Sequence, residues 1–290
     1  MRMLDDKTRG WMNGLLGVII FAGSLPATRV AVADLDPVFL TLARAAIAGL
    51  LGLALLLLFR ERRPLRSDLV PLAIVSLCVV IGFPLLTALA LRHVTAAHSI
   101  VFIGLLPLST ALFGVLRGGE RPRLAFWLLS GLGSTLVVGF ALTQGFAAAP
   151  IGDLLMLAAI VVCGWGYAEG AMLSRRLGGW QVISWALLLA LPITLGLALA
   201  LRPNDLAATG MPAWLGLAYV SLFSMLIGFV FWYRGLAQGG IAAVGQLQLL
   251  QPFFGLALAG LLLGETVTWP MLAVSAAVTA CVAAARRFAR

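Results

Sequence analysis

Apolar stretches of roughly 20 residues follow one another along this chain, separated by connections of only a few residues. Each is about long enough to cross a hydrocarbon core of ~30 Å as a helix. The pattern excludes most folds at once. With 62% hydrophobic and 11% charged residues in 290, the chain cannot cover a soluble surface. It also lacks the short alternating segments of a membrane β-barrel. The sequence therefore predicts an all-α polytopic membrane protein. The spacing predicts ten spans, at roughly 11–29, 36–59, 69–91, 94–116, 123–143, 151–174, 180–201, 213–237, 241–262 and 268–285.

The chain repeats itself at half its length. Ala96 to Glu120 and Ala242 to Glu265 each open on an Ala-Ala pair, carry a central proline (Pro107, Pro252) and close on Gly-Glu. A Gly-Phe pair precedes each segment, Gly82-Phe83 and Gly228-Phe229. The sequence thus divides into two five-helix units, 1–145 and 146–290. Five is odd, so the second unit enters the membrane from the opposite side, which predicts an inverted repeat.

Charge sets the expected orientation. Of the 20 Lys and Arg residues, 16 fall at the termini and in alternate connections, three (Arg29, Arg92, Arg202) fall on the other side, and Arg44 lies within a span. The positive-inside rule then puts both termini in the cytoplasm. The same rule accounts for the net charge of +9 without nucleic acid as a partner. Cys78, Cys163 and Cys281 sit in apolar segments, an odd count that argues against disulfides or a metal site. The first stretch lacks a clear cleavage pattern and is expected to stay as an anchor. No cofactor is expected. The partners expected are a small-molecule substrate and the lipid bilayer, with a monomer as the working assembly.

Two Ala-Ala…Pro…Gly-Glu segments, the opening GSLPATRVAV (Gly23–Val32), FLTLARAAIAGLL (Phe39–Leu51) and CGWGYAEGAMLSRRL (Cys163–Leu177) together resemble the drug/metabolite transporter superfamily, and within it the EamA-type carriers. The resemblance covers nearly the whole chain. It implies a ten-helix carrier of the bacterial inner membrane that exports amino acids or other metabolites. The aromatic amino-acid exporters (YddG-like) are the branch it first suggests.

A carrier needs a site near the midplane, so polar groups, aromatics and helix breakers at membrane depth are the candidates. Gln246, Gln248 and Gln251 come first, because amides in lipid are costly unless paired. Gln246 and Gln248 point some 200° apart on an ideal helix, so the three cannot line one cavity equally. Pro252 should free the carbonyl of Gln248, and Pro107 that of Ile103. Hydrogen bonding between helices is the competing role for the glutamines.

His98 could gate, bind substrate or take up a proton, or be an interfacial residue bonded to water. Phe102, in the same span, is a further substrate-binding candidate. Trp165 and Glu169, four apart, share a helix face. Trp165 could stack on a substrate. Glu169 is an intramembrane acid, though close enough to Arg175 for an interfacial ion pair. Gly166 and Gly170 make a contact face that turns Tyr167 elsewhere. Arg44 could hold a carboxylate or brace helix-end carbonyls. Pro26, Pro84, Pro107, Pro192 and Pro252 are the expected bend points, and Ser24, Pro26 and Thr28 form a break near the outer end. Trp232 and Tyr233 read as interfacial belt residues. Glu120 and Glu265 read as helix caps.

The sequence-level expectation is a secondary transporter exporting small amphipathic metabolites, amino acids first, by alternating access. A carrier of drugs, nucleosides or sugars with the same fold is the alternative. A membrane enzyme would need a catalytic constellation, and there is no HExxH motif or pair of intramembrane aspartates. A channel would favour rings of charge or carbonyl filters. A primary pump would need a nucleotide-binding loop.

Overall fold

The computed structural model describes residues 5–94, 96–143, 149–203, 208–263 and 269–289. The side chain of His98 and the Gly264-Glu265 pair lie outside the described residues. Among the described residues the chain is helical and contains no strand.

α1 (Asp6–Ala22) and α2 (Ser24–Asp34) form one rod interrupted at Gly23. Asp5 caps α1 by accepting from the Thr8 N–H. α3 (Pro37–Leu58) starts on a proline, and the Asp36 carboxylate accepts from the N–H groups of Val38 and Phe39. α4 (Arg66–Val75), a π-helical turn (Ser76–Gly82) and α5 (Phe83–Ala90) make the next rod. α6 (Ala96–Ile103), α7 (Leu106–Gly118) and α8 (Leu124–Thr143) follow. The second half opens with α9 (Pro150–Leu177) and α10 (Gly179–Ala200). Then come α11 (Met211–Tyr219), a second π-helical turn (Val220–Ile227) and α12 (Gly228–Gly239). α13 (Ile241–Gly245), a 3₁₀ segment (Gln246–Leu250), α14 (Gln251–Leu263) and α15 (Trp269–Ala285) complete the chain. Among the described residues, six rods are long and apolar enough to cross a membrane: 6–34, 37–58, 66–90, 150–177, 179–200 and 211–239. Their outward side chains are apolar, with Leu154 70% exposed, as a lipid-facing surface requires.

The interruptions recur in both halves. The two π-helical turns end against the two Gly-Phe pairs. A Cβ on Gly82 would lie 2.7 Å from the Leu77 carbonyl oxygen, and one on Gly228 would lie 2.9 Å from that of Phe223. A widened turn crowds that carbonyl against the helix, so only glycine fits. The Pro107 and Pro252 segments break as well, but not as mid-helix kinks. Pro84, Pro107 and Pro252 each sit second in a restarted helix, and Pro26 sits third, where a missing N–H costs no bond. Nor is the Gln248 carbonyl freed: the 3₁₀ segment lets it accept the Gln251 N–H. Pro192 lies inside α10 without a break.

The helices pair off in a way that exchanges the halves. α1 packs on α12, and α9 packs on α4 and α5. α3 packs on α10, and α8 on α15. The α1–α12 contact is backbone to backbone: a Cβ on Gly10 would sit 2.6 Å from the Gly239 nitrogen, and one on Gly235 would sit 2.6 Å from the Gly14 nitrogen. Membrane helices gain most from such close approach, because lipid offers no hydrophobic drive between them. The glycines also make room for aromatics. Gly17 leaves space for Trp232 and Gly170 for the Tyr233 ring, so both side chains are fully buried rather than interfacial.

One end of the bundle is clamped by acidic side chains. Gly119, with φ +65°, turns the chain at the end of α7. Glu120 then folds back to cap α13, 121 residues on, rather than the helix that follows it. Its two carboxylate oxygens accept from the Ile241 and Ala242 N–H groups, each at 2.7 Å. Arg175 lies 3.5 Å from the same carboxylate. At this end Arg176 pairs with buried Asp68, Arg117 with buried Glu169, and the Gln181 amide donates to Glu61. At the opposite end Arg29 donates to the Leu91 carbonyl and Asp34 accepts from the Gly210 N–H.

Two outcomes are expected. Gly235→Val drives a side chain into the α1 backbone and should cost about 1–3 kcal/mol or more, seen as a lower melting temperature of the detergent-purified protein. Glu120→Ala removes both cap bonds and should cost about 1–3 kcal/mol on the same measurement, with Glu120→Gln losing less because it keeps an acceptor.

Candidate functional site

The helix interruptions converge on one place. Next to Gly23 stand Phe21 and Ser24; Val79 comes from the first π-helical turn, and Ser224 and Met225 from the second. Leu106 opens α7, and Gln251 opens α14. All of these line one small cavity of about 20 Å³, room for about one water. Both phenylalanines of the repeated Gly-Phe pairs, Phe83 and Phe229, face it too. The doubling therefore has a local cause: the glycine permits the π-helical turn, and the phenylalanine next to it forms the wall.

The polar groups of the cavity come from both halves. Arg44, on α3, is 5% exposed, and its Nη2 donates to the Ser224 hydroxyl at 3.1 Å. The Ser224 and Ser24 hydroxyls are hydrogen-bonded at 2.5 Å. The Gln251 amide nitrogen donates to the Phe21 carbonyl at 3.4 Å. Two atoms of this wall, Arg44 Nε and Gln251 Oε1, are buried without a partner among the described residues. Around them Phe21, Tyr167 and Phe229 form an aromatic cage. The Phe21 and Tyr167 rings are stacked at 6.4 Å, and Phe229 meets them at 4.9 and 5.9 Å. A guanidinium beside unfilled polar atoms and flat apolar faces suits a small solute with a charged end and an apolar body.

The structure separates the sequence candidates. Arg44 and Gln251 meet in the cavity, whereas Gln246 and Gln248 turn to neighbouring helices. Gln246 Oε1 accepts from Ser130 at 2.8 Å, and Gln248 Oε1 accepts from Thr110 at 3.2 Å. The 3₁₀ backbone turns about 120° per residue, so the glutamines fan out to different neighbours. Phe102 is buried on α6 and does not line the cavity. Pro84 reaches the cavity wall; Pro26, Pro107 and Pro252 mark the helix restarts around it.

Trp165 and Glu169 lie outside the cavity. Trp165 is 37% exposed and stacks on Phe113 with ring centroids 6.0 Å apart. Its indole N–H donates to Glu169 Oε1 at 3.3 Å, and Arg117 completes a cluster joining α9 to α7. Tyr167, two residues from Trp165, is turned about 200° away and faces the cavity instead. The small-residue face of α9 is used as its spacing suggests: Gly166 meets Cys78 and Val79, and Gly170 meets Tyr233. Phe21, Tyr167 and Ser224 are among the cavity residues that sequence reasoning passed over. Phe83 and Phe229 were signalled by the doubled Gly-Phe pair. Ser24 stands further from the end of its rod than the sequence placement had it, because the rod runs from 6 to 34 rather than 11 to 29.

The chain matches the EamA-like transporter family twice, over residues 8–142 and 150–285. It is 68% identical to the uncharacterized transporter YdeK of Bacillus subtilis over 287 residues, covering 99% of this chain and 100% of that one. It is 27% identical to a probable terminal-alkyne amino-acid exporter of Streptantibioticus cattleyicolor, covering 87% and 84% of the two chains. A solved crystal structure shares the fold, with a TM-score of 0.78 at 21% identity over 98% of each chain. With both halves matched by one family and a near-full-length relative at high identity, this chain belongs to the EamA-like transporter family.

Proposed function

We propose that this protein is a secondary carrier that exports small amphipathic metabolites across a bacterial inner membrane. Amino acids with apolar or aromatic side chains are the first substrates to test. One observation carries the reading: the helix interruptions of both halves meet at one small, mixed polar and aromatic cavity. Broken helices around a central site are how a carrier exposes binding groups without opening backbone to lipid. The amino-acid exporter among the relatives supports the substrate class.

In this reading the broken stretches 96–118 and 241–263, together with α8 and α15, add four spans to the six long rods, giving ten in two inverted five-helix units, 1–145 and 146–290. The exchange of packing partners between halves supports the inversion. The bias of Lys and Arg puts both termini in the cytoplasm. The Glu120, Glu169 and Asp68 clamps then close the cytoplasmic end, and rocking one unit against the other opens it. A single chain suffices for this cycle.

Counterflow of labelled phenylalanine, tryptophan, methionine and threonine in proteoliposomes tests the proposal. Saturable counterflow of at least one is expected, with Tyr167→Ala and Gln251→Ala each lowering it about tenfold, the equivalent of ~1.4 kcal/mol of lost binding. Counterflow lost in Trp165→Ala but kept in Tyr167→Ala would move the site to the outer face of α9. Absence of saturable flux for these and for drug, nucleoside and sugar solutes would sink the carrier reading.

A further inference from the structure

The cavity holds one cation and, among the described residues, no acid to balance it. Of the 11 acidic residues in the chain, Asp205 and Glu265 lie outside the described residues, and none of the others lines the cavity. The two buried carboxylates, Asp68 and Glu169, are held by Arg176 and Arg117 at the clamped end of the bundle. Among the described residues Arg44 has only the Ser224 hydroxyl, and its Nε is buried without a partner there. An unbalanced guanidinium inside a membrane protein is costly unless something arrives to neutralise it.

Resting on the carrier reading above, we propose that the substrate supplies the missing negative charge. Opened by the rocking described above, and so wider than the one-water cavity of this structure, the site takes an apolar- or aromatic-bodied monocarboxylate of net charge −1, such as a 2-oxo acid, ahead of the matching zwitterionic amino acid. The carboxylate takes the free face of Arg44, where a guanidinium offers paired donors. The body packs against Phe21, Tyr167 and Phe229. A zwitterion would bring an ammonium that finds only neutral acceptors, Gln251 Oε1 and the two serine hydroxyls, and would leave the loaded cavity positive. A monoanion leaves it neutral.

The charge count also sets the driving force. The loaded cavity crosses neutral and the empty one returns with the positive charge of Arg44. Each outward cycle therefore moves one negative charge out, which an inside-negative potential favours. At equilibrium that holds a gradient of roughly 50-fold per 100 mV. No proton-carrying acid is required in the cavity.

Proteoliposomes loaded in turn with labelled phenylpyruvate, phenylalanine or phenethylamine, with a potassium diffusion potential set by valinomycin, test this on the wild-type protein. The expected result is saturable phenylpyruvate efflux, several-fold faster inside-negative than at zero potential, with phenylalanine slower and insensitive to potential and phenethylamine not moved. Arg44→Gln should abolish the preference for the anion, because the loaded site then crosses with a net negative charge and phenylpyruvate loses its paired donors. Arg44→Lys should keep the anion preference and raise KM, since it retains the charge without the paired donors. Phenylalanine flux without phenylpyruvate flux, or phenylpyruvate flux indifferent to potential, overturns the inference and leaves the carrier standing. No saturable flux of any of the three overturns it, and the carrier reading then rests on the wider solute panel. An anion preference that persists in Arg44→Gln overturns the role of Arg44.

Discussion

A helix that breaks inside a membrane drops hydrogen bonds that lipid cannot make, so protein must make them. The break at Gly23 shows how. The Ile20 carbonyl accepts the Tyr219 hydroxyl at 2.7 Å, and the Phe21 carbonyl accepts the Gln251 amide. Both donors come from the other half of the chain. At the break before α7, the Gly104 carbonyl accepts the Ser134 hydroxyl at 2.8 Å. The breaks are therefore confined to the interior, where neighbouring helices can supply donors. A cavity at their meeting point follows, because a broken helix packs less closely than an intact one.

The closed end of the bundle depends on the same logic in a different form. A helix start inside the protein leaves its first N–H groups without partners. Glu120 satisfies two of them for α13 with one carboxylate, and the left-handed turn at Gly119 aims it there. The cap joins the two halves of the chain across 121 residues and sits beside Arg175. Moving the halves apart would expose the α13 start together with the Glu120 carboxylate. The clamp is thus a stabilising contact that ties the two halves of the chain together.

The two halves share architecture but not polarity. The repeated Gly-Phe pairs place matching phenylalanines, Phe83 and Phe229, on the cavity wall. Gln251, in contrast, stands where the first half has Leu106, and Arg44 adds a charge to the same wall. Helix paths are fixed by packing and tolerate exchange of one apolar side chain for another. The chemistry of the site is set by a few polar substitutions against that background, and here they leave one guanidinium facing one aromatic cage.

Sequence alone determined the membrane class, the approximate positions of the six long rods and the doubling, because each is a property of hydrophobic length or of a repeated local pattern. Arg44 and Gln251 were legible for the same reason: charge and amides are conspicuous in apolar helices. Facing was not legible. Trp165 and Tyr167 are two residues apart on α9, and only the packing of α9 against α7 and α12 decides that the tyrosine points inward and the tryptophan outward. Trp232 and Tyr233 resembled belt residues until the glycines of α1 and α9 made room to bury them. The Glu120 cap was legible as a cap but not in its target, since α13 lies 121 residues away. Side-chain facing and long-range partners depend on how helices rotate against one another, and that rotation is fixed by the whole bundle rather than by any single span.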